Sequence, residues 1–478
     1  MNRGKNLVVR KALGLSLSLG MDRAIAYTSL ARIFNIAGSA GTVLLIVHFL
    51  NVVEQGYYYS LLSLVRLQII FELGFSFVIQ QFAAHESAKL KLHKDGTIEG
   101  DALAHARLAL VLKKTIKWYV TAGVLLGLAL APTGLAYFSH RSNPSMHIAW
   151  HWPMYASVFT CVIIFMVDPL LSFLDGCGYI WQVGGLRMAQ AIVGIATAWG
   201  AFLVHEGLYS PAMVIVGNII AAAIFLWKYR HLLGGLLRYP TEHGILSWRA
   251  EVWSFQWRIA VSWLCSFLMA QLFVPALFLL RSPAEAGQMG MSLSIGGYMW
   301  QVVLSWTSTK ATPFGQMVAR RDFASLDGLF QRTLWQSLAV LVALLSICMA
   351  GVLVLNRYFP LLAHRMISPW AFVLLFLAVI SMFIVQCLAI YLRAHKREPF
   401  LWQSLGTAAL ICIGILLLVP RWGTFGASAA YLFSAGIVGL PWATVIYVKV
   451  RRNHGRINPV DLLDSVSTDT ALGPIDGV

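Results

Sequence analysis

Two full charges sit in the stretch Val65 to Phe77, VRLQIIFELGFSF, inside an otherwise apolar run: Arg66 and Glu72. A charge at the centre of a bilayer costs at least ~2.5 kcal/mol, so such residues face a bundle interior, a partner or a water-filled path. On an ideal helix the two lie about 120° apart, too far to pair with each other. Other polar residues fall at helical spacing. Thr28, Arg32, Asn35 and Ser39 form one stripe, Gln301, Ser305, Ser308 and Thr312 another, and Gln68, Glu72, Ser76 and Gln80 step by four. Ser, Thr and Gln within spans ordinarily hydrogen-bond between helices, each contributing ~0.6 to 2 kcal/mol. Charge demands more, so Arg32, Arg66 and Glu72 are the candidates for a hydrated cavity. Asp168 and Asp175 share a helix face, with Pro169 loosening the backbone beside the first. Asp168 is a candidate for proton or sodium coupling, the alternative being simple neutralisation by Arg187. Asp175 reads as the end of a span.

The elements that must position these groups are membrane helices. The 478 residues are 58% hydrophobic and 12% charged, with a mean hydropathy of +0.71, too apolar for an ordinary soluble domain. Windows of ~20 apolar residues predict about twelve spans, at 27–49, 57–83, 118–138, 153–174, 184–204, 209–229, 258–280, 287–310, 334–356, 370–392, 400–420 and 424–448. Of 36 Lys and Arg, only Arg141, Arg281, Arg357, Arg365 and Arg421 fall at one side, and Arg32 and Arg66 lie within spans. The positive-inside rule then places both termini in the cytoplasm. The net charge of +16 is thereby a topology signal, and no soluble basic face offers itself to nucleic acid. Six cysteines in or beside spans, without CxxC spacing, read as packing residues, with no metal site and no cofactor motif. Residues 1–23 read as a cytoplasmic, interfacial leader rather than a cleaved signal peptide, because Asp22 and Arg23 interrupt the approach to Ala24-Ile25-Ala26.

The chain repeats itself. RIFN at Arg32 pairs with RIAV at Arg258, Glu54-x-Gly56 with Glu285-x-Gly287, and WQVGG at Trp181 with WQSLG at Trp402, in the same order and at similar offsets. The pairing with Arg32 raises Arg258 above an ordinary snorkelling arginine. Six spans per half give two parallel repeats about an axis along the membrane normal. The expected organisation is an N-terminal six-helix bundle over 24–230, a cytoplasmic linker over 231–256, a C-terminal six-helix bundle over 257–450 and a polar tail over 451–478. Within the first half, 85–117 mixes charge with Leu103, Ala106 and Leu110 at helical spacing and reads as an amphipathic helix on the inner membrane face.

The segment GYYYSLLSLVRLQIIFELGFSFVIQQFAAHE (Gly56 to Glu86), the twelve spans in two halves and the basic loop after the second span resemble the multidrug/oligosaccharidyl-lipid/polysaccharide (MOP) exporter superfamily. Within it, the chain is most similar to the polysaccharide-biosynthesis, O-antigen flippase-like branch. The resemblance implies an all-α fold in which two six-helix bundles enclose a central cavity that opens alternately to either side of a bacterial inner membrane. It implies a polyprenyl-diphosphate-linked oligosaccharide as cargo, surrounding lipids and other polysaccharide-assembly membrane proteins as partners, and no catalysis. A cationic cavity suits a diphosphate, because Arg offers a delocalised, forked donor. The candidate cavity residues are Arg32, Asn35, Arg66, Gln68, Glu72, Gln80, Arg258, Gln301 and Ser305. Tyr57, Tyr58, Tyr59, Trp300 and Trp306 could stack on sugars, though interfacial anchoring is the more usual role of such residues. A cation-coupled multidrug antiporter on the same fold is the alternative. A membrane polymerase or glycosyltransferase fits less well, because the outer loops are short and poor in carboxylates.

Overall fold

The computed structural model describes residues 23–72, 74–92, 97–140, 148–240, 254–308, 310, 313–314, 317–318, 320–393 and 400–452. The expected leader, most of the linker and most of the tail lie outside these residues, as do the side chains of Arg32 and Arg258.

The elements run α1 (Arg23–Phe49), α2 (Val52–Arg66), α3 (Ile69–Glu72), α4 (Phe75–Ser87), a hairpin of β1 (Leu90–Leu92) and β2 (Ile98–Gly100), α5 (Ala102–Ser139), α6 (His151–Gly176), α7 (Ile180–Leu203), α8 (Ser210–Lys228) and α9 (Arg230–Arg238). They continue with α10 (Ser254–Gln271), α11 (Phe273–Leu280), α12 (Pro283–Ser308), α13 (Phe323–Tyr358), α14 (Pro360–Ala363), α15 (Pro369–Arg393), α16 (Leu401–Tyr431), a π-helical stretch Leu432–Gly439 and α17 (Leu440–Arg452). Among the described residues, seven helices are each long and apolar enough to cross a bilayer. The remaining crossings are broken or more polar. α2 to α4 form one span bent by 47°, and α10 and α11 meet at Leu272. The run Leu401–Arg452 folds into two crossings at Gly423, whose φ of 52° and ψ of −130° are non-helical. With α1 and α12 the total is about twelve, an all-α membrane fold of two six-helix bundles.

In the first bundle α7 packs between α1 and α8, while α6 packs on α4, α5 and α8; in the second, α16 and the π stretch pack on α10, α11 and α15. The duplication is visible in the elements. α5 and α13 are the long helices of their halves, with 38 and 36 residues. Trp181 and Trp402 are each the second residue of a helix, α7 and α16. Glu54 and Glu285 are each the third residue of theirs. That position explains the carboxylate: Asn51 and Glu54 complete a capping box at the start of α2, and the Ser282 hydroxyl accepts from the Glu285 amide at 3.2 Å.

The repeated glycines explain the rest of the motif, because α2 and α12 make the main contact between the halves. A Cβ on Gly56 would overlap the Pro283 carbonyl, and one on Gly287 would stand 2.7 Å from the Gly56 nitrogen. Gly290 admits the Tyr59 ring in the same way. Small residues let membrane helices approach backbone to backbone, where dispersion and carbonyl contacts replace a hydrophobic drive that lipid does not supply. Both glycines lie in the first turns of their helices, so the halves are joined at the face that carries the few basic residues. There the buried Gln55 amide donates at 2.9 Å to both the Gly287 and Arg365 carbonyls, and Gln288 donates to the His364 carbonyl at 2.8 Å.

At the opposite face the segment expected as a separate amphipathic helix over 85–117 is built differently. Its first part completes α4 and forms the β1–β2 hairpin, and its second part is the start of α5, continuous with the third span. Of the apolar set Ala106 is buried, Leu110 half-buried and Leu103 exposed, while β1 packs on α4 and β2 on α5. α9 docks on the same helix. Its Leu232 and Leu236 are buried, the Tyr239 ring stacks on His105 at 3.6 Å, and Lys113 Nζ donates to the Tyr239 carbonyl at 2.9 Å.

Replacing Gly56 by Ala forces α2 and α12 apart, with an expected loss of about 1 to 3 kcal/mol from overpacking. Gly185→Ala, at a helical position with open space, is expected to be neutral or stabilising by up to about 1 kcal/mol. Thermal unfolding of the two purified variants in one detergent checks the contrast.

Candidate functional site

Span two carries two polar sets, and the helix break separates them. α2 ends at Arg66, and α4 begins after Gly74, which sits in the left-handed region at φ 72°. Glycine takes that conformation without the steric penalty other residues meet. Above the break, Arg66 points out of its own bundle: its Nη1 donates to Gln271 Oε1 of α10 at 2.8 Å. Arg66 therefore lies between the halves. Among the described residues it forms no ion pair with a carboxylate.

The seam of Gln68, Glu72, Ser76 and Gln80 turns the other way, into the first bundle rather than toward the second half. Gln68 Oε1 lies 3.3 Å from Cys161 Sγ on α6. The Ser76 and Tyr119 hydroxyls meet at 3.2 Å, and Gln80 Nε2 donates to Asp175 Oδ2 at 2.8 Å. Gln68 and Gln80, expected at the central cavity, thus find their described polar partners within the first bundle. Together with Tyr119, Phe165, Asp168 and Pro169, three of these residues, Gln68, Glu72 and Ser76, line a small pocket between α3, α4, α5 and α6. Asp168 at its wall is held by Arg187 Nη1 at 3.0 Å, and Arg187 also donates to Gln190 Oε1 at 3.1 Å. Asp168 thus has its own cation at the pocket wall.

The remaining candidates are more scattered. Asn35 is exposed on α1 and Gln301 on α12. The Ser305 hydroxyl donates to the Val302 carbonyl of its own helix at 2.6 Å, a local bond. Arg32 lies on α1 and Arg258 on α10, their side chains outside the described residues. The tyrosines do not form a sugar-stacking wall. Tyr57, Tyr58 and Tyr59 are buried, Tyr57 stacking on Phe138 at 5.6 Å and Tyr58 packing edge-on against Tyr59. Trp306 is exposed and Trp300 half-buried.

Sequence reasoning missed Gln271 and Tyr119. Gln271 stands in an apolar span four residues before Pro275, whose missing N–H frees the Gln271 carbonyl and ends α10. That proline was the available signal. Tyr119 gave none, since tyrosines near span ends ordinarily anchor at the interface.

No protein-family model matches this chain, and no curated protein sequence is similar to it. Solved structures do resemble it along nearly its whole length. The lipid II flippase MurJ in an inward closed conformation superposes with a TM-score of 0.61 at 12% identity, over 89% of this chain and 90% of that one. The Vibrio cholerae MATE transporter VcmN gives 0.56 at 14% identity, over 90% and 97%. An inward-facing multidrug resistance MATE transporter of the MOP superfamily gives 0.50 at 11%, over 92% and 98%. The chain shares the fold of these structures, that of a multi-pass membrane protein.

The Asp168–Arg187 pair is more than a third exposed on both sides, at 39% and 42%, so its removal is expected to cost about 1 kcal/mol, near the upper end for such pairs. Arg187→Gln, which leaves Asp168 and Glu72 without their cation, is expected to lower the unfolding midpoint. Asp168→Asn in the same chain is expected to restore it. Thermal unfolding of the two single variants and the double variant reads the coupling.

Proposed function

We propose that this protein is a flippase that carries a polyprenyl-diphosphate-linked oligosaccharide across the bacterial inner membrane, for surface polysaccharide or O-antigen assembly, by alternating access. The observation that carries this reading is Arg66: a guanidinium between the halves, hydrogen-bonded to a neutral amide and free of a carboxylate partner among the described residues. A diphosphate that must cross hydrocarbon needs such a cation, and the remaining donors of the guanidinium fork suit its oxygens. Arg32 and Arg258, on the first spans of the two halves, are proposed as further cavity cations, with Asn35, Gln301 and Ser305 as neutral lining. The glycan crosses in the hydrated space while the polyprenyl chain stays in lipid. No covalent step is involved, so the protein is not an enzyme in this reading.

The halves are proposed to be 24–230 and 257–450, rocking about the α2–α12 contact, with both termini cytoplasmic, as the excess of Lys and Arg at one face supports. The closed α2–α12 face is then the outer one. Proton or sodium coupling is assigned to the pocket of Glu72 and Asp168. That pocket also supports a second reading, a cation-coupled multidrug antiporter, since two carboxylates with one arginine suit a cation's return path.

Arg66→Ala is expected to lower transport about 10- to 100-fold, the worth of a charged hydrogen bond of about 1.5 to 3 kcal/mol, and Arg66→Lys to retain part of it. Complementation of a deletion strain, with mass spectrometry of its lipid-linked sugars, checks this. Trapped lipid-linked oligosaccharide with unchanged drug tolerance supports the flippase. Lost drug tolerance with normal surface polysaccharide overturns it in favour of the antiporter.

A further inference from the structure

The Arg66–Gln271 bond joins two places where the backbone is interrupted. Arg66 is the last residue of α2, before the 47° bend of span two, and Gln271 is the last residue of α10, where Pro275 ends the ladder. Helix termini are where a chain absorbs changes in φ and ψ most readily, so hinges are found there. A side-chain bond between two such points couples the movement of one half to the other. It lies away from the α2–α12 face, where the Gln55 amide bonds the halves together through backbone carbonyls.

The chemistry of this tie is unusual for a latch. Gln271 supplies one lone pair and no charge, so the guanidinium keeps its full positive charge and most of its five donors. A carboxylate at position 271 would neutralise it. A phosphate oxygen pair offers two parallel charge-assisted bonds where the amide offers one bond to a neutral acceptor. An anionic headgroup entering between the halves therefore outcompetes the amide, and the tie opens.

We propose that Gln271 is a placeholder for the ligand's anion: it holds Arg66 across the halves in the empty protein and surrenders it to the diphosphate of the cargo, so that loading releases the bundles to move. This rests on the flippase reading for the identity of the cargo. The Gln55 contacts at the closed face involve no ion pair and are left intact by the exchange. Loading thus frees the middle of the molecule first.

The test uses the full chain in nanodiscs of zwitterionic lipid, with spin labels at Lys89 and Arg320, both exposed, and distances read by double electron–electron resonance. Polyprenyl diphosphate is expected to shift the wild-type distribution. Gln271→Ala is expected to show the shifted distribution without ligand, and Gln271→Glu to need at least about tenfold more ligand, equivalent to about 1.4 kcal/mol. An unshifted Gln271→Ala, or a Gln271→Glu that responds like wild type, overturns the placeholder. A wild-type shift produced by phosphatidylglycerol alone overturns the assignment to the cargo's diphosphate. Polyprenyl diphosphate binding to Arg66→Gln separates the two ideas: binding as tight as wild type sinks the role of Arg66 itself. Lost binding with an unshifted Gln271→Ala sinks the placeholder and leaves the flippase reading standing.

Discussion

Two backbones can approach within contact distance in a membrane only where neither carries a side chain, and the architecture turns on one such place. Gly56 and Gly287 face each other at the start of α2 and α12, with no room for a Cβ on either. Lipid solvates apolar side chains as well as a neighbouring helix does, so the halves gain little by burying leucines between them. Close packing and the buried Gln55 amide hold them instead, its one donor group bonded to two carbonyls. The Arg365 guanidinium closes back on the Gln55 oxygen at 3.4 Å. Because these partners sit on α2, on α12 and on the turn before α15, the closed face is one cooperative unit.

The duplication supplied this unit with both of its members. Each Glu-x-Gly begins a helix that starts at the same face, the glutamate serving the first turn and the glycine the crossing. The second glutamate does more than its counterpart. Arg281 Nε donates to Glu285 Oε1 at 3.1 Å, and the glutamate fills the space beside the Gly423 turn, where a Cβ would collide with it. That turn needs glycine for its positive φ and for this contact alike. One motif thus became a helix cap in the first half and a helix cap plus loop support in the second.

Much of this was legible in the sequence. Hydropathy windows located twelve crossings, because a bilayer forces ~20 apolar residues per span whatever the tertiary structure. The repeats Glu54-x-Gly56 and Glu285-x-Gly287 could be read as a duplication, though not as partners in contact, since nothing in one sequence says which repeated residues meet. The azimuth of Arg66 away from Glu72 was also readable from helical geometry. Periodicity carries a seam only as far as the helix is straight, so past the 47° bend that follows Glu72 the partner of Gln80 could not be read. The stretch near Leu103 could not be read as continuous with the third span, since an apolar face covers protein or lipid equally well and periodicity does not say where a helix ends.

The two bundles share a frame but not an interior. The first carries charge at its pocket, with Glu72 and Asp168 in the lining beside Tyr119 and Arg187 paired to Asp168. The corresponding core of the second, among the described residues, is polar but neutral. Ser434 Oγ donates to the Thr407 carbonyl at 2.6 Å, Thr407 Oγ1 to the Gln403 carbonyl at 2.9 Å, and Gln403 Nε2 to the Gly439 carbonyl at 3.3 Å. These bonds surround the π-helical stretch Leu432–Gly439, whose wider turn misaligns carbonyls that a neighbouring hydroxyl or amide can then engage. At the basic-rich end of that half, Asp327 accepts from Tyr391 Oη at 2.6 Å and Arg451 Nε at 2.7 Å. One frame thus carries two interiors: an ion pair at the pocket wall of the first half, and hydroxyl and amide bonds to backbone carbonyls in the second.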